Sequence, residues 1–434
     1  MGGDHLQQEW INRLLRHFAA PAEPAARRTI IRFHRLSDYR QCVRQLTFTE
    51  AHSASSAAIR YCPELLMISS PLVNAELLEA DASKVTIAPD AQIHLSARSY
   101  LPTSTKPSLT YDPRQHIPWG VAATRAPSVW KYSKGQHIRI GVVDTGVDFE
   151  HPNIRHALRK GVNLLQRMAP ATDDNGHGTH IAGTIAAASS TRVNGVAPGA
   201  LLYPVKAFDS EGSAYISDIL LAIHWCIANR MHIINMSFGM SEHNTALLQA
   251  VKTAGRRGVI IVASSGNGGQ TNQIDYPARF PQTIAVGAYN RRGAIAGFSN
   301  RGKDVDIYAP GESIYSTWPG NRYNELSGTS MATAHVSGAL ALLIAARPLL
   351  SKLGLRAALL AAAAPFTSKG RHCAGKLDAS RAYRLLRVPA KRCGQRPVTR
   401  KAAATARRQK TATPSVKRKS VSPSGKPIRS RKKS

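Results

Sequence analysis

Apolar and polar residues alternate with two different periods in the first hundred residues of the chain. A period of two, typical of half-buried strands, changes to helical spacing and back again. The order is strand, helix, two strands, helix, strand, in the segments TIIRFHR (29–35), LSDYRQCVRQL (36–46), IRYCPELLMISSP (59–71), VNAELLEADASKV (73–85) and VTIAPDAQIHL (85–95). This βαββαβ order predicts a small ferredoxin-like unit over residues 28–97.

From residue 137 onward, strand-like runs are apolar on both faces and alternate with helical stretches. The runs are HIRIGVVD (137–144), ALLYPVKAF (200–208), MHIINMSF (231–238), GVIIVASS (258–265) and TIAVGAY (283–289). Such runs are typical of a parallel sheet covered by helices, so we predict a layered α/β domain over residues 115–386. The preceding segment, 98–114, contains three prolines and is predicted to be a linker.

Polar residues directly follow several of these strands. Asp144, Ser237 and Asn267 each stand at the carboxyl end of an apolar run. In parallel sheets functional groups gather at this edge, because the ends of neighbouring strands lie side by side. The order of the strands therefore predicts that these three side chains lie close together.

Ser330, in GTSMATAHVSG (328–338), is either a helix cap or a nucleophile. A serine hydroxyl is a poor nucleophile unless a base accepts its proton. The segment DDNGHGTHIAGTIAA (173–187) offers His177 as that base, and Asp144 can hold the imidazole in the required tautomer. The Asn267 amide and the backbone N–H of Ser330 can stabilise the oxyanion.

Each of these fragments is weak when taken alone, because a Gly-Thr-Ser sequence usually marks a helix cap. Their occurrence together in one chain indicates nucleophilic catalysis. For two other histidines we expect structural roles: a buried hydrogen bond for His180 and packing for His335.

The combination resembles the subtilisin-type serine endopeptidases, the subtilase family, whose catalytic residues follow in the order Asp, His, Ser. The resemblance covers residues 115 to about 385, through HIPWGV, VVDTGVDFEHPNI, NGHGTHIAGTIAA, NGVAPGA, INMSFG, SSGNGG, FSNRG, APG and GTSMATAHVSG. It implies a three-layer subtilisin-like domain with the triad Asp144, His177 and Ser330. It also implies that Asn267 lies in the oxyanion hole, that proteins or peptides are the substrates, and that the chemistry requires no cofactor.

The same resemblance implies a substrate cleft. GSAYIS (212–217) and MSFG (236–239) resemble edge segments that pair with an extended peptide by strand addition. The implied substrate-binding residues are Gly212, Ser213, Ser237, Phe238 and Gly239.

Asp275, in QIDYPARF, stands where many family members have a small residue at the base of the P1 pocket. A carboxylate there would favour Lys or Arg at P1, because a buried charge needs a partner. Alternatively, Asp275 turns outward or pairs with Arg279, and the P1 preference is for leucine or an aromatic residue.

Residues 28–97 resemble the family's prodomain, an intramolecular chaperone and temporary inhibitor. The resemblance implies a self-processed zymogen whose junction falls near Ala97 or Arg98. A cut after Arg98 would agree with a basic P1 preference, although the linker as far as Arg114 offers other sites.

The resemblance implies two candidate positions for structural calcium, and this sequence departs from the family pattern at the first of them. The loop AASSTRVNGVAP (187–198) is one residue shorter than the typical calcium-binding version, and Asn153 replaces a common acidic ligand. Asp304 and Asp306 resemble ligands of a weaker cation site or, alternatively, belong to a solvated turn.

Charge is unevenly distributed over the 434 residues, whose net charge is +32. Residues 387–434 contain 17 Lys or Arg and no Asp or Glu, which predicts a disordered basic tail. Such a tail would contact polyanions with a strong salt dependence, or would only solvate the chain.

The N-terminal residues 1–27 are predicted to form an amphipathic helix and a linker. The helix would dock on the protein or lie on a membrane surface. Its apolar positions recur every four residues: Leu6, Trp10, Leu14 and Phe18. We recognise neither a signal peptide nor a transmembrane run, and we expect a cytoplasmic monomer. The alternatives are export without a recognisable signal, or association with a spore or cell surface.

The five cysteines are odd in number and have no metal-ligand spacing, so they indicate neither a disulfide scaffold nor a metal site. Three competing functions remain. An inactive subtilase scaffold is disfavoured because all four chemical groups are present. A polyanion-binding protein acting through the tail lacks a recognition fold. An α/β-hydrolase esterase would need Ser330 in a G-x-S-x-G elbow, which is absent.

Overall fold

The computed structural model describes residues 28–50, 59–71, 84–95, 116–366 and 374–387. The predicted N-terminal helix, the predicted linker over 98–114 and all of the predicted basic tail except Arg387 lie outside these residues.

The centre of the larger unit is a seven-stranded sheet in which every neighbouring pair is parallel. Its strands are β6 (Arg139–Asp144), β7 (Val162–Asn163), β8 (Leu201–Lys206), β10 (Ile233–Met236), β11 (Ile260–Ser264), β12 (Thr283–Tyr289) and β13 (Ile307–Pro310). Their spatial order is β13-β12-β11-β10-β6-β8-β7. The prediction of a parallel α/β sheet is therefore confirmed.

Helices cover both faces of this sheet. Within this unit they are α2 (Trp119–Ala123), α3 (His177–Ala186), α4 (Ile216–Ala228), α5 (Thr245–Arg256), α6 (Thr329–Ala346), α7 (Lys352–Ala361) and α8 (Ala379–Arg387). Ile140 and Val142 of β6 pack with α3 and α6, whereas Val143 packs with α4 and α5 on the other face. The alternation along β6 thus divides the core into two parts and produces three layers.

Among the described helices, only α6 is long and apolar enough to span a bilayer. Most of its residues are buried inside this domain, which makes α6 the central core helix. Helix α8 ends at Arg387, so that residue belongs to the folded domain and not to the predicted tail.

In the described residues, the smaller N-terminal unit contains an antiparallel sheet with helix α1 (Leu36–Glu50) on one face. The strand order is β2-β3-β1-β4. The strands are β1 (Arg28–Phe33), β2 (Arg60–Cys62), β3 (Met67–Pro71) and β4 (Val85–Pro89). The predicted helix over 73–85 lies almost entirely outside the described residues, so the ferredoxin-like assignment remains a prediction.

The opposite face of the N-terminal sheet packs on the larger unit. Ile30 of β1 and Met67 of β3 share a hydrophobic core with Ile216 and Leu220 of α4. Burial of these apolar groups is the main contribution that holds the two units together.

The predicted strand over 85–95 divides into two strands. After β4, the chain continues as β5 (Gln92–His94), which pairs antiparallel with β9 (Ser213–Tyr215) of the larger unit. Pro89 pairs with Thr29 of β1, and the Asp90 N–H donates to the Arg28 carbonyl at 2.8 Å. Asp90 then turns inward, where it accepts hydrogen bonds from Ser69 Oγ at 2.6 Å and from the Ser217 backbone N–H at 2.8 Å.

The remaining strands, β14 (Ile314–Trp318) and β15 (Arg322–Leu326), form a hairpin that packs against α3. His180 of α3 bonds through Nε2 to the Ile314 carbonyl at 2.8 Å. This contact holds the helix that carries His177.

Candidate active site

Asp144 and His177 form the central pair of the candidate site. Asp144 is the last residue of β6, and His177 is the first residue of α3. His177 Nδ1 lies 2.7 Å from Asp144 Oδ1, and both side chains are almost completely buried. A carboxylate bonded to Nδ1 leaves Nε2 as the nitrogen that can accept a proton.

Asp173 positions this pair, and the sequence analysis did not identify it. Its Oδ1 accepts from Thr145 Oγ1 at 2.8 Å and from the Gly176 N–H at 2.8 Å. Its Oδ2 accepts from the backbone and the hydroxyl of Thr179. Asp173 therefore links the residue after Asp144 to the first turn of α3. The sequence feature that could have identified Asp173 is an acidic residue four positions before His177, close to a helix start.

The pKa of His177 reflects opposing influences. Burial lowers it, but the charge and the hydrogen bond of Asp144, with a further contribution from Asp173, raise it above its ordinary value. The imidazole is consequently a stronger base than one buried without carboxylates.

Ser330 is the second residue of α6 and is completely buried. Its Oγ donates to the Ser237 carbonyl at 2.8 Å, and the Ser237 hydroxyl donates to the Ser330 carbonyl at 3.4 Å. Within the described ranges, His177 Nε2 has no hydrogen-bond partner. The structure thus joins Asp144 to His177 and Ser330 to Ser237, without a bond between the two pairs. Catalytic hydrogen bonds without substrate are often incomplete in this way.

Asn267 lies at the same helix N-terminus as Ser330. Its Oδ1 accepts from the Thr329 N–H at 2.9 Å and from Thr329 Oγ1 at 2.8 Å. Its Nδ2 lies on the Gly328 side, where a Cβ on Gly328 would come within 3.3 Å of it. The amide is oriented by its carbonyl oxygen, which leaves its donor end beside the serine segment.

Asp275 lies between two glycines. A Cβ on Gly266 would come within 2.4 Å of Asp275 Oδ2, and one on Gly239 within 2.8 Å of the same oxygen. Burial raises the pKa of Asp275 to about 6. Among the described residues no cation pairs with it, and the Arg279 guanidinium lies instead 5.6 Å from the centre of the Tyr276 ring. The alternative pairing with Arg279 is therefore absent from the structure.

The two predicted edge segments differ in the contacts that they already make within the protein. Gly212 and Ser213 are already occupied: the Leu95 N–H donates to the Gly212 carbonyl at 2.8 Å, and Ser213 Oγ lies 2.8 Å from His94 Nδ1. On the other segment, the Phe238 side chain packs in the core against Phe208, 5.0 Å between ring centres. Any contact of Phe238 with a substrate must use its backbone.

His180 and His335 are both completely buried, as expected for structural residues. His335 Nδ1 bonds to the Met331 carbonyl at 2.8 Å within α6. Burial lowers the pKa of His180 to about 3 and that of His335 to about 4, so both are neutral near pH 7.

The loop that would hold calcium is closed by an amide. Asn153 Nδ2 donates to the carbonyls of Ala188, at 3.3 Å, and Val193, at 3.4 Å. The Tyr323 hydroxyl donates to Asn153 Oδ1. These carbonyl oxygens, the type of ligand that Ca²⁺ prefers, are satisfied by the protein itself. The residues present do not fit a tight calcium site.

The second candidate cation site also fails to fit. Asp306 pairs with Arg356, whose Nη2 lies 2.9 Å from Oδ2. A cation there would have to displace this guanidinium. Across the ranges that the structure describes, no cluster of three or more His, Cys, Asp or Glu side chains could hold a metal ion.

Comparison with known proteins identifies the family. Residues 135–403 match a sequence model of the Subtilase family. Subtilisin E from Bacillus subtilis (strain 168) is 42% identical over 246 residues, which cover 55% of this chain but only 64% of that protein. Subtilisin from Bacillus pumilus is 42% identical over 54% of this chain and 86% of its own length. An alkaline protease from Alkalihalobacillus alcalophilus is 35% identical over 84% of this chain and 94% of its own length.

We predict that a chelator leaves the thermal stability almost unchanged, because the Asn153 amide already donates to the carbonyl oxygens that a Ca²⁺ ion would need as ligands. Differential scanning calorimetry with EDTA and with added Ca²⁺ should show Tm values within about 2 °C of each other. The Asn153→Asp variant places a carboxylate beside the same carbonyls and should acquire a Ca²⁺-dependent Tm. A large fall in the Tm of the unmodified protein with EDTA would contradict this account.

Proposed function

The chain belongs to the subtilase family, a family of serine endopeptidases, and from this premise we propose that it cleaves peptide bonds with Ser330, His177 and Asp144. The observation that carries the proposal is the buried 2.7 Å contact between Asp144 and His177. Ser330 and Thr329, the partner of Asn267, begin a second helix of the same domain.

In the first step, Ser330 Oγ attacks the carbonyl carbon of the scissile bond while His177 Nε2 takes the hydroxyl proton. Asp144 stabilises the resulting imidazolium through Nδ1. The negative charge moves to the substrate oxygen, where Asn267 Nδ2 and the backbone N–H of Ser330 can donate to it. Both helices present their N-terminal ends to this site, which also favours negative charge.

The intermediate then collapses. The C–N bond breaks, His177 delivers its proton to the leaving amine, and an acyl ester remains on Ser330. A water molecule attacks the ester with His177 again as the base. Release of the new carboxylate restores the serine hydroxyl, so no external cofactor enters the balance.

Asp275 is proposed to select Lys or Arg at P1. The carboxylate is half-buried and lies against Gly239 and Gly266, where a larger residue would collide with it. Its hydrogen-bond partner among the described residues is Asn300 Nδ2, at 3.4 Å. A substrate ammonium or guanidinium would supply the charge partner that this carboxylate lacks.

The N-terminal unit is proposed to inhibit the peptidase before it is removed. Its strand β5 occupies the edge β9 that a peptide substrate would use, with Ile93 opposite Ala214. Asp90 places a carboxylate at the N-terminus of α4, where it accepts from the Ser217 N–H. The similarity to the alkaline protease covers 84% of this chain. Residues 115–434 make up less than three quarters of this chain, so a similarity over 84% of the chain extends into the N-terminal region.

We expect a panel of peptides that differ only at P1 to show the highest kcat/KM with Arg or Lys. Asp275→Asn should reduce kcat/KM for these substrates about tenfold or more while changing the value for Leu by less than about threefold. Ser330→Ala should reduce all values by at least about a thousandfold. Retained activity in Ser330→Ala would refute the serine mechanism, and an unchanged preference in Asp275→Asn would refute only the P1 assignment.

The preference for a basic P1 residue should depend on pH. Because the pKa of Asp275 is raised to about 6, its carboxylate is charged above that pH and becomes neutral below it. The ratio of kcat/KM for Arg to that for Leu should therefore be highest above pH 7 and fall as the pH is lowered towards 5. Taking the ratio cancels the titration of His177, which affects both substrates equally. A ratio that is constant from pH 5 to 8 would contradict the assignment.

Removal of the Asp90 carboxylate should weaken self-inhibition. A helix-capping carboxylate contributes about 1 kcal/mol, so Asp90→Ala should loosen the N-terminal unit about fivefold. Refolded full-length Asp90→Ala should then show a shorter lag before peptidase activity appears, with Glu150→Ala, an exposed acidic residue, as the matched control. An active unmodified protein whose N-terminal sequence still begins at Met1 would refute processing.

A further inference from the structure

A cavity lies at the amino edge of the central sheet, where the parallel strands begin, opposite the edge that carries Asp144. Its volume is about 480 Å³, which is within the range of small-molecule sites. It is lined by Arg139, the first residue of β6, and by His232 and Val259, which immediately precede β10 and β11. β6 is six residues long, so its length of about 20 Å separates this cavity from Asp144 at the other end.

The polar side chains of this cavity are almost all cationic. Arg139, Arg230, Arg257 and Lys352 line it together with His232, and its lining contains no carboxylate. In the part of the chain that the structure describes, none of these four cations forms an ion pair. Four like charges around one space repel one another unless an anion is present.

Local structure accounts for part of this arrangement. Arg230 follows the C-terminus of α4, and Arg257 follows that of α5, where cations interact favourably with the helix dipoles. Arg139 donates through Nε and Nη2 to the Arg230 carbonyl, at 3.0 and 2.8 Å. These contacts fix the backbone around the cavity.

The charge of Lys352, unlike those of Arg230 and Arg257, is not stabilised by a helix dipole. Lys352 is the first residue of α7, so its ammonium group stands at the positive end of a helix. Lys352 is half-buried, and this burial lowers the pKa of its ammonium group. An anion in the cavity would offset the desolvation, the helix dipole and the neighbouring arginines together.

We propose that this cavity binds a phosphate-bearing anion, held by Arg257, Lys352, Arg230 and Arg139. Guanidinium groups bind phosphate oxygens in a bidentate manner, and the volume is sufficient for more than one phosphate group. The lining contains no Phe, Tyr or Trp to stack on a base, so the phosphate groups provide the recognition. The proposal does not depend on peptidase activity.

A lipid headgroup and a soluble oligophosphate would both present phosphate to this cavity. They differ in whether they would use apolar surface near α7. Leu349 is fully exposed and Leu353 is 80% exposed, on either side of the residues that lead into α7. Exposed leucines beside a cationic pocket would suit an anionic lipid headgroup, whereas a soluble oligophosphate would not need them.

The test uses the full-length protein carrying Ser330→Ala, to prevent self-digestion, at physiological salt. Tripolyphosphate binding is measured by calorimetry, and the ring signals of His232 are followed by NMR during the titration. The pKa of His232 is lowered to about 4 by burial and by the charges of Arg139 and Lys352, so a bound anion should raise it. Because His232 lines the cavity, its signals report binding there separately from the total heat of binding.

We expect the double variant Arg257→Gln, Lys352→Gln to weaken the affinity reported by His232 about tenfold or more. The control Arg256→Gln removes a neighbouring exposed cation outside the cavity and should change the affinity by less than about twofold. A His232 signal that does not respond to tripolyphosphate, or equal losses in both variants, would overturn the proposal.

A second arm identifies the source. Vesicles of phosphatidylcholine with and without phosphatidylglycerol are sedimented with the protein. If the ligand is a lipid headgroup, Leu349→Ser, Leu353→Ser should weaken vesicle binding and leave tripolyphosphate binding unchanged. If the leucine variant binds vesicles as well as the parent while the cation variant loses tripolyphosphate, the ligand is a soluble phosphate. Unchanged binding of both probes by the cation variant would refute the site.

Discussion

The buried hydrogen bond between Asp144 and His177 is the interaction on which the candidate site depends. It joins the end of the central strand β6 to the start of α3, two elements that are 33 residues apart in the chain. A carboxylate without exposure to water is costly unless its oxygens are bonded. At Asp144, the imidazole and the Thr145 N–H, at 2.9 Å, both bond to Oδ1, whereas Oδ2 has no hydrogen-bond partner among the described residues. The bond to the imidazole offsets part of the cost of this burial and also prepares the imidazole as a base.

Two further buried carboxylates repeat this principle at helix starts. Asp173 accepts hydrogen bonds from backbone N–H groups in the first turn of α3, and Asp90 accepts from the first turn of α4. Each of them links separate parts of the chain: Asp173 connects β6 to α3, and Asp90 connects the N-terminal sheet to the larger domain. Helix N-termini have unsatisfied donors and a favourable dipole, which makes these places suitable for buried negative charge.

The parallel sheet also separates charge along the molecule. Its carboxyl edge brings together Asp144, Ser237 and Asn267, whereas its amino edge is lined by arginine and lysine. Because every strand of this sheet runs in the same direction, residues that begin strands cannot mix with those that end them. A protein built in this way has room for a second, independent binding site far from the first, and this consequence of topology supports the phosphate proposal.

The sequence by itself determined the layered α/β architecture, since runs that are apolar on both faces and alternate with helical stretches are typical of a parallel sheet covered by helices. It also determined which residue types could carry out the chemistry, because Asp144, His177 and Ser330 occur in short and specific motifs. Other features depended on the tertiary structure. The division of segment 85–95 into two strands follows from an inward turn at Asp90, whose partners are distant in sequence. The role of Asp173, the closure of the calcium-type loop by Asn153 and the gathering of Arg139, Arg257 and Lys352 have the same origin. Hydrogen bonds and charge clusters between remote segments leave no periodic pattern along the chain, so they are visible only once the chain is folded.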